Sequence, residues 1–129
     1  MLGAVGGSFQ TCGVDGEDLG WAVGSLTPSE LACNPNGDAL AGVHAIVLDG
    51  AMNAAIHAAL RANGGTVETL EMTTEIRSRA RRGERYCVRG DVVRLTRREA
   101  HAEASLANER GQLVSRATGT FSVHREDQR

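Results

Sequence analysis

Three polar side chains in one apolar stretch are the residues best placed to do chemistry. Residues 42–62 contain no proline and consist mostly of Ala, Val, Ile, Leu and Met. Asp49 lies in the middle of this stretch, Asn53 follows four residues later, and His57 follows four after that. Because residues four apart are neighbours on a helix surface, the three share one face. A carboxylate there needs water, a partner or a catalytic role, so Asp49 is the first candidate for a reactive group.

The segments on either side of this stretch give the helix its limits. Asn34-Pro35-Asn36-Gly37-Asp38 has the composition of a turn or loop. The helix is predicted from about Leu40 to Ala62, and Asn63-Gly64-Gly65 is a strong signal for its end.

Four stretches after the helix alternate apolar and polar residues with a period of two, at residues 70–76, 86–92, 100–106 and 113–123. They predict four long strands in meander order, and hence an antiparallel sheet. Ala and Gly dominate one face of the last two strands, which leaves room for the helix to lie directly on the sheet. The expected fold class is therefore α+β, with one long central helix wrapped by a curved antiparallel sheet of about five to six strands.

The N-terminal part of the chain carries weaker signals. Trp21 and Val23 alternate with small residues and predict a further strand, which residues 29–33 could continue. Residues 1–18 are rich in glycine and lack periodicity, so they are predicted to be a flexible arm. The predicted domain organisation is this arm followed by one domain over residues 19–129.

Composition excludes several classes of protein. A net charge of −2 indicates no general attraction to nucleic acid or to an anionic membrane. The chain has three cysteines at wide spacings and no Cys/His cluster, which predicts neither a disulfide framework nor a metal site. A reducing compartment, the cytoplasm, is the expected location. His44, His101 and His124 are expected to be exposed or at an interface.

The order of these motifs resembles the hot-dog fold, and more specifically the acyl-CoA thioesterases of the phenylacetate-pathway and 4-hydroxybenzoyl-CoA type. The resemblance covers roughly residues 20–124. The motifs that carry it are Asn34-Pro35-Asn36-Gly37, Ala41-Gly42-Val43, Leu48-Asp49-Gly50-Ala51-Met52, Thr69-Leu70-Glu71-Met72, Arg81-Arg82-Gly83, Asp91-Val92-Val93-Arg94, Asn108-Glu109-Arg110-Gly111-Gln112-Leu113-Val114 and Ala117-Thr118-Gly119-Thr120-Phe121.

The resemblance implies hydrolysis of an acyl-CoA or acyl-carrier-protein thioester. Asp49 would be the general base for water, or the nucleophile that forms a mixed anhydride. The backbone N–H groups of Ala41 and Gly42 would bind the oxyanion, because they lie at a helix N-terminus. Asn34 matches the family's loop amide, which bonds the same carbonyl or orients the water. Asn53 would hold the water or the Asp49 carboxylate.

An arginine cluster and the length of the helix add two further expectations. Arg81 and Arg82, with Arg79, are expected to bind the phosphates of coenzyme A, which is part of the substrate, so that no cofactor is expected. Ala41 and Asp49 are separated by about 12 Å of helix at 1.5 Å per residue, so one helix cannot bring both to one carbonyl. Two antiparallel copies can, which predicts a homodimer with shared sites, and a tetramer is the expected further assembly.

Two alternatives stay open. The family usually has His-Gly-Gly at the helix entrance, whereas this chain has Leu40-Ala41-Gly42. That departure favours a non-catalytic protein that binds acyl-CoA. A hot-dog hydratase or dehydratase is less favoured, because its helix histidine and its His-Phe-Pro-type entrance motif are both missing.

Overall fold

One long helix lies in the curve of a single antiparallel sheet in this computed structural model, which describes residues 2–60 and 64–125. The helices are α1 (Leu2–Val5) and α2 (Ala41–Leu60), with a 3₁₀ turn at Glu30–Ala32. The strands are β1 (Gly7–Val14), β2 (Gly20–Leu26), β3 (Thr66–Ile76), β4 (Tyr86–Leu95), β5 (Glu99–Asn108) and β6 (Leu113–His124). Their order in the sheet is β1-β2-β4-β5-β6-β3. This arrangement is the hot-dog fold, and the predicted fold class is confirmed.

Helix α2 begins and ends close to the predicted positions. Apolar residues occupy most of its surface, and Asp49, Asn53 and His57 form one polar face. By length and composition it could also cross a membrane, but half of its most apolar window is buried inside the protein. The predicted end signal falls partly on residues 61–63, which lie outside the described residues, and Gly64 and Gly65 both adopt positive φ.

Glycine and alanine let α2 approach the sheet closely. A Cβ atom added to Gly20 of β2 would lie 1.8 Å from the carbonyl oxygen of Ala55, and one added to Gly90 of β4 would lie 2.2 Å from that of Ala51. Both distances are shorter than real Cβ contacts, so any larger residue at either position would force the helix away from the sheet. The inward residues of β5 are small as well, which confirms the small-residue face predicted for that strand.

The N-terminal residues are not a flexible arm, and the prediction for residues 1–18 is wrong where the structure describes them. Residues 7–14 form β1, which pairs with β2 along its length. Val5 is buried, and the hydroxyl of Ser29 donates to the carbonyl of Ala4 at 2.8 Å. Gly13 is a packing residue, because its added Cβ would lie 2.9 Å from the ring of Trp21. Gly7 and Gly13 are two of the glycines that suggested flexibility, and they make room for the side chains of Leu2 and Trp21.

The meander prediction is correct for β4, β5 and β6 but wrong for β3. Strand β3 pairs with β6 at one edge of the sheet, and β4 pairs with β2 instead. The nine residues 77–85 between β3 and β4 carry the chain from this edge to the middle of the sheet, so they are a crossover and not a tight turn. The proposed continuation of a strand through residues 29–33 is also wrong, because Glu30–Ala32 is a 3₁₀ turn.

Candidate active site

Asp49 lies half-buried on α2, where strand β3 passes the helix. Its carboxylate oxygen Oδ1 accepts a hydrogen bond of 2.9 Å from the hydroxyl of Thr69. Within the described residues, Oδ2 has no hydrogen-bond partner and the carboxylate forms no ion pair. One oxygen is therefore oriented by the protein and the other remains available, which suits a base or a nucleophile.

Thr69 is a site residue that the sequence analysis did not identify. It faces the helix just before the register shift between Thr69 and Glu71, opposite Phe121 of β6. An exposed threonine on an alternating strand gives no sign in the sequence of a bond to a helix 20 residues earlier. Only the packing of β3 beside α2 brings the two side chains together.

Asn53 and His57 continue the polar face of α2 towards its C-terminal end. The Asn53 amide donates to the backbone carbonyl of Asp49 at 3.0 Å, and so it does not hold the carboxylate as one reading of the sequence expected. His57 Nδ1 lies 2.8 Å from the carbonyl of Asn53 and must donate, since a carbonyl oxygen only accepts. Both side chains thus bond to their own helix one turn back.

The Asn34 side chain is fixed by its own loop. Its Oδ1 accepts hydrogen bonds from the backbone N–H groups of Asn36, at 3.0 Å, and Asp38, at 3.1 Å. The backbone N–H of Gly37 closes the turn on the Asn34 carbonyl at 2.9 Å, and Gly37 has φ of 83°. Because Oδ1 is occupied, the side chain presents its Nδ2 donors to the surroundings. A fixed amide donor suits a substrate carbonyl.

The N-terminus of α2 offers two backbone donors. Ala41 and Gly42 are exposed, and among the described residues neither N–H finds an acceptor. A Cβ added to Gly42 would have no atom within 4 Å, so the space above this turn is open. Leu40 precedes the turn and is 49% exposed, so the position of the family's histidine carries an apolar side chain at the surface. Donors of this kind attract a developing negative charge.

Arg82 shares a cleft with Asn34. The cleft has a volume of about 420 Å³ and is lined by residues 33–37 together with Glu30 and Arg82. The Arg82 N–H donates to the carbonyl of Gly37 at 2.9 Å, which fixes the arginine backbone beside the loop. Arg82 and Asn34 therefore border the same space.

Arg79 and Arg81 lie near this loop without lining the cleft. The Arg79 guanidinium approaches the Asp38 carboxylate at 3.8 Å. The backbone of Arg81 forms an isolated antiparallel β-bridge with that of Asp38, and the Arg81 N–H donates to the Tyr86 hydroxyl at 2.7 Å. A larger cleft of about 460 Å³ lies on the outer face of the sheet and contains none of the predicted site residues. The smaller cleft is the one that contains predicted site residues, because Asn34 and Arg82 both line it.

His44 is buried, contrary to the expectation that it is exposed or at an interface. It is 2% exposed, and a hydrogen bond of 2.8 Å joins its Nδ1 to the hydroxyl of Ser115, which is fully buried in β6. Burial lowers the pKa of His44 below its ordinary value of 6.5. The sequence did not show this, because the apolar residues around His44 do not indicate which side of the helix meets the sheet.

We expect this histidine to make the fold sensitive to mild acid. Since the pKa of His44 is lower in the folded protein than in the unfolded chain, the unfolded chain binds more protons between those two values. The contribution of neutral His44 to the free energy of unfolding is complete above pH 6.5. It is lost as the pH falls through the pKa that His44 has in the folded protein. Thermal unfolding between pH 7.5 and 5 should show a falling Tm, and His44→Asn should flatten that slope. An equal slope in both proteins would assign the loss to other groups.

Known structures share this fold over nearly the whole chain. Thioesterase superfamily member 2 of zebra fish aligns with a TM-score of 0.78 and 20% identity, over 90% of this chain and 80% of that one. A thioesterase of Haemophilus influenzae gives 0.82 and 19%, over 98% and 84%. A phenylacetic acid degradation-related protein of Ralstonia eutropha gives 0.78 and 23%, over 93% and 86%.

These similarities confirm the predicted resemblance to hot-dog thioesterases at the level of the fold. No protein-family model matches the chain, and no curated protein matches its sequence. At 19 to 23% identity, the three structures establish a shared architecture.

Proposed function

We propose that this protein is a thioesterase that hydrolyses an acyl thioester of coenzyme A or of a carrier protein. The observation that carries the proposal is the hydrogen bond from Thr69 to Asp49, which orients Oδ1 and leaves Oδ2 without a partner among the described residues. A fold shared with proteins named thioesterases agrees with it.

In the proposed reaction, Asp49 takes a proton from water while the water oxygen bonds to the thioester carbon. The carbonyl oxygen becomes an oxyanion, which accepts hydrogen bonds from the N–H groups of Ala41 and Gly42 and from Asn34 Nδ2. The C–S bond then breaks, the thiolate receives the proton from Asp49, and the free acid leaves. Direct attack by Asp49 through a mixed anhydride uses the same groups and differs in which oxygen bonds to carbon first.

A second copy of the chain is needed to assemble this site. About 12 Å of helix separates Asp49 from Ala41, so the donors that meet one acid must come from an antiparallel partner helix. Strand β3 offers the surface for it, because it pairs only with β6 among the described strands. Leu70 and Ile76 of β3 are 56% and 43% exposed. Pairing with β3 of a second copy would bury these apolar side chains and complete the edge of the sheet. We propose a homodimer, with a tetramer as the further assembly.

The proposal is tested by thiol release from short, long and aromatic acyl-CoAs and by mixing two inactive variants. Asp49→Asn and Asn34→Ala protomers combine into mixed dimers that contain one complete site and one doubly damaged site. Because half of randomly formed dimers are mixed, we expect about a quarter of the wild-type activity. No recovery would contradict the shared site, and no thiol release by the wild-type protein from any thioester would contradict the activity.

The role of Asn34 as a donor can be separated from its role in the loop. Asn34→Asp keeps an oxygen for the N–H groups of Asn36 and Asp38, but it replaces the amide donor by negative charge. We expect kcat to fall by about 10²–10³-fold, as for other oxyanion donors, with little change in Tm. Asn36→Asp adds the same charge to the same loop and serves as the control. A kcat equally reduced in both variants would indicate a general charge effect.

The arginines and the cellular location complete the proposal. Arg82 is the best placed of the three to meet a phosphate of coenzyme A, since it lines the same cleft as Asn34. Arg79 and Arg81 would contribute from the adjacent loop. Cys12, Cys33 and Cys87 are all free, which is compatible with a reducing cytoplasm.

A second candidate function is binding of acyl-CoA without hydrolysis, and Leu40 at the helix entrance favours it. Calorimetry and thiol release, run side by side on the same acyl-CoAs, separate the two functions. Tight binding with no release would support the binding protein.

A further inference from the structure

The buried pair of His44 and Ser115 has no part in the proposed chemistry, yet it joins two important elements. His44 lies one turn into α2, directly after the turn that carries Ala41 and Gly42. Ser115 lies on β6, opposite Ile76 of β3 and Leu106 of β5, and so in the middle of three paired strands. Their 2.8 Å hydrogen bond connects the first turn of the helix to the sheet.

This bond is one of two side-chain hydrogen bonds between α2 and the sheet among residues 2–60 and 64–125. The other is the bond from Thr69 to Asp49. The remaining contact between helix and sheet is apolar, through residues such as Val47, Met52 and Ile56. Apolar burial is non-directional, whereas a hydrogen bond weakens steeply as its atoms move apart. The two bonds therefore hold the axial position of the helix at its donor end and at its acid.

We infer that His44 is a positioning residue, which holds the oxyanion donors of one protomer in register with the acid of its partner. The inference rests on the proposed thioesterase function with a shared site. In an antiparallel pair of helices, a slide of each helix along its own axis changes the distance between the donors and the acid by twice the slide. A misplacement of about 1 Å can cost about 10²-fold in rate, so this site is unusually sensitive to the axial position.

Stability and positioning can be separated by replacing both partners. His44→Leu and Ser115→Ala alone each leave a buried polar group without its partner, so both should lower Tm. The double variant is apolar on both sides and should regain most of that Tm. We expect its kcat to stay about 10–10²-fold below wild type, with KM nearly unchanged. His44→Asn places a polar atom near the position of Nδ1 and should restore most of the kcat.

A second readout does not depend on activity. Amide hydrogen exchange over residues 43–48 should be faster in the double variant than in the wild type at equal Tm, because the first turns of α2 have lost their connection to β6. Wild-type kcat in the double variant would overturn the inference, and so would unchanged exchange in this segment. If the wild-type protein releases no thiol from any thioester, the proposed function fails, while the exchange measurement still decides whether the pair holds the helix.

Discussion

Asp49→Asn is expected to lower kcat for thioester hydrolysis by about 10²–10⁴-fold, the range that general acid–base groups contribute. Asparagine has nearly the same size, and its Oδ1 can still accept the Thr69 hydroxyl hydrogen bond of 2.9 Å. Its amide cannot take a proton from water, so chemistry is lost while the local structure stays. Thiol release measured with a chromogenic reagent gives the rate, after the exposed thiols of Cys12 and Cys87 have been titrated.

Glu109→Gln is a matched control, because it also neutralises one acid but lies on the exposed turn between β5 and β6. It should keep the wild-type kcat. Tm and the assembly state should be the same in all three proteins. Full activity of Asp49→Asn would remove this residue from the mechanism and leave the fold without an identified base.

Gly90→Ala is expected to lower the free energy of unfolding by about 3 kcal/mol, at the upper end of overpacking effects. The added Cβ would lie 2.2 Å from the carbonyl oxygen of Ala51, 2.5 Å from its carbonyl carbon and 3.0 Å from the nitrogen of Met52. All three are backbone atoms of α2, so no side-chain rotation can relieve the overlap and the helix itself must move. Urea unfolding followed by circular dichroism measures the loss.

Gly16→Ala provides the comparison for this stability prediction. Gly16 lies between β1 and β2, where an added Cβ would have no atom within 4 Å. The same chemical change should therefore alter stability by less than about 0.5 kcal/mol. Equal losses in the two variants would indicate that glycine composition, and not the helix contact, determines the effect.

Much of the fold could be predicted because the local patterns agree with the tertiary structure. Strands β4, β5 and β6 each have one face on the helix and one outward face, so their alternation is regular and readable. Helix α2 is long, apolar and bounded by a turn and by glycines. Strand β1 was missed because backbone pairing with β2 specifies it, while its own residues do not alternate between apolar and polar.

The position of β3 could not be read from alternation, because period-two patterning states which face is inward but not which strand lies alongside. As candidates for the site, Asp49 and Asn34 could be named from a carboxylate in an apolar helix and from the resemblance in motif order. Thr69 and Ser115 could not, since each meets α2 only through the packing of the sheet. The burial of His44 depends on the same packing.

In the proposed reaction, the loop that holds Asn34 needs no rearrangement when a substrate binds. Two backbone N–H groups keep its side-chain oxygen in place, so the amide nitrogen needs no rotation or ordering to meet a carbonyl. The conformational entropy of this donor is therefore lost when the chain folds, so it does not weaken substrate binding. Changes that loosen the turn around Gly37 should consequently weaken transition-state binding even though they never touch the substrate.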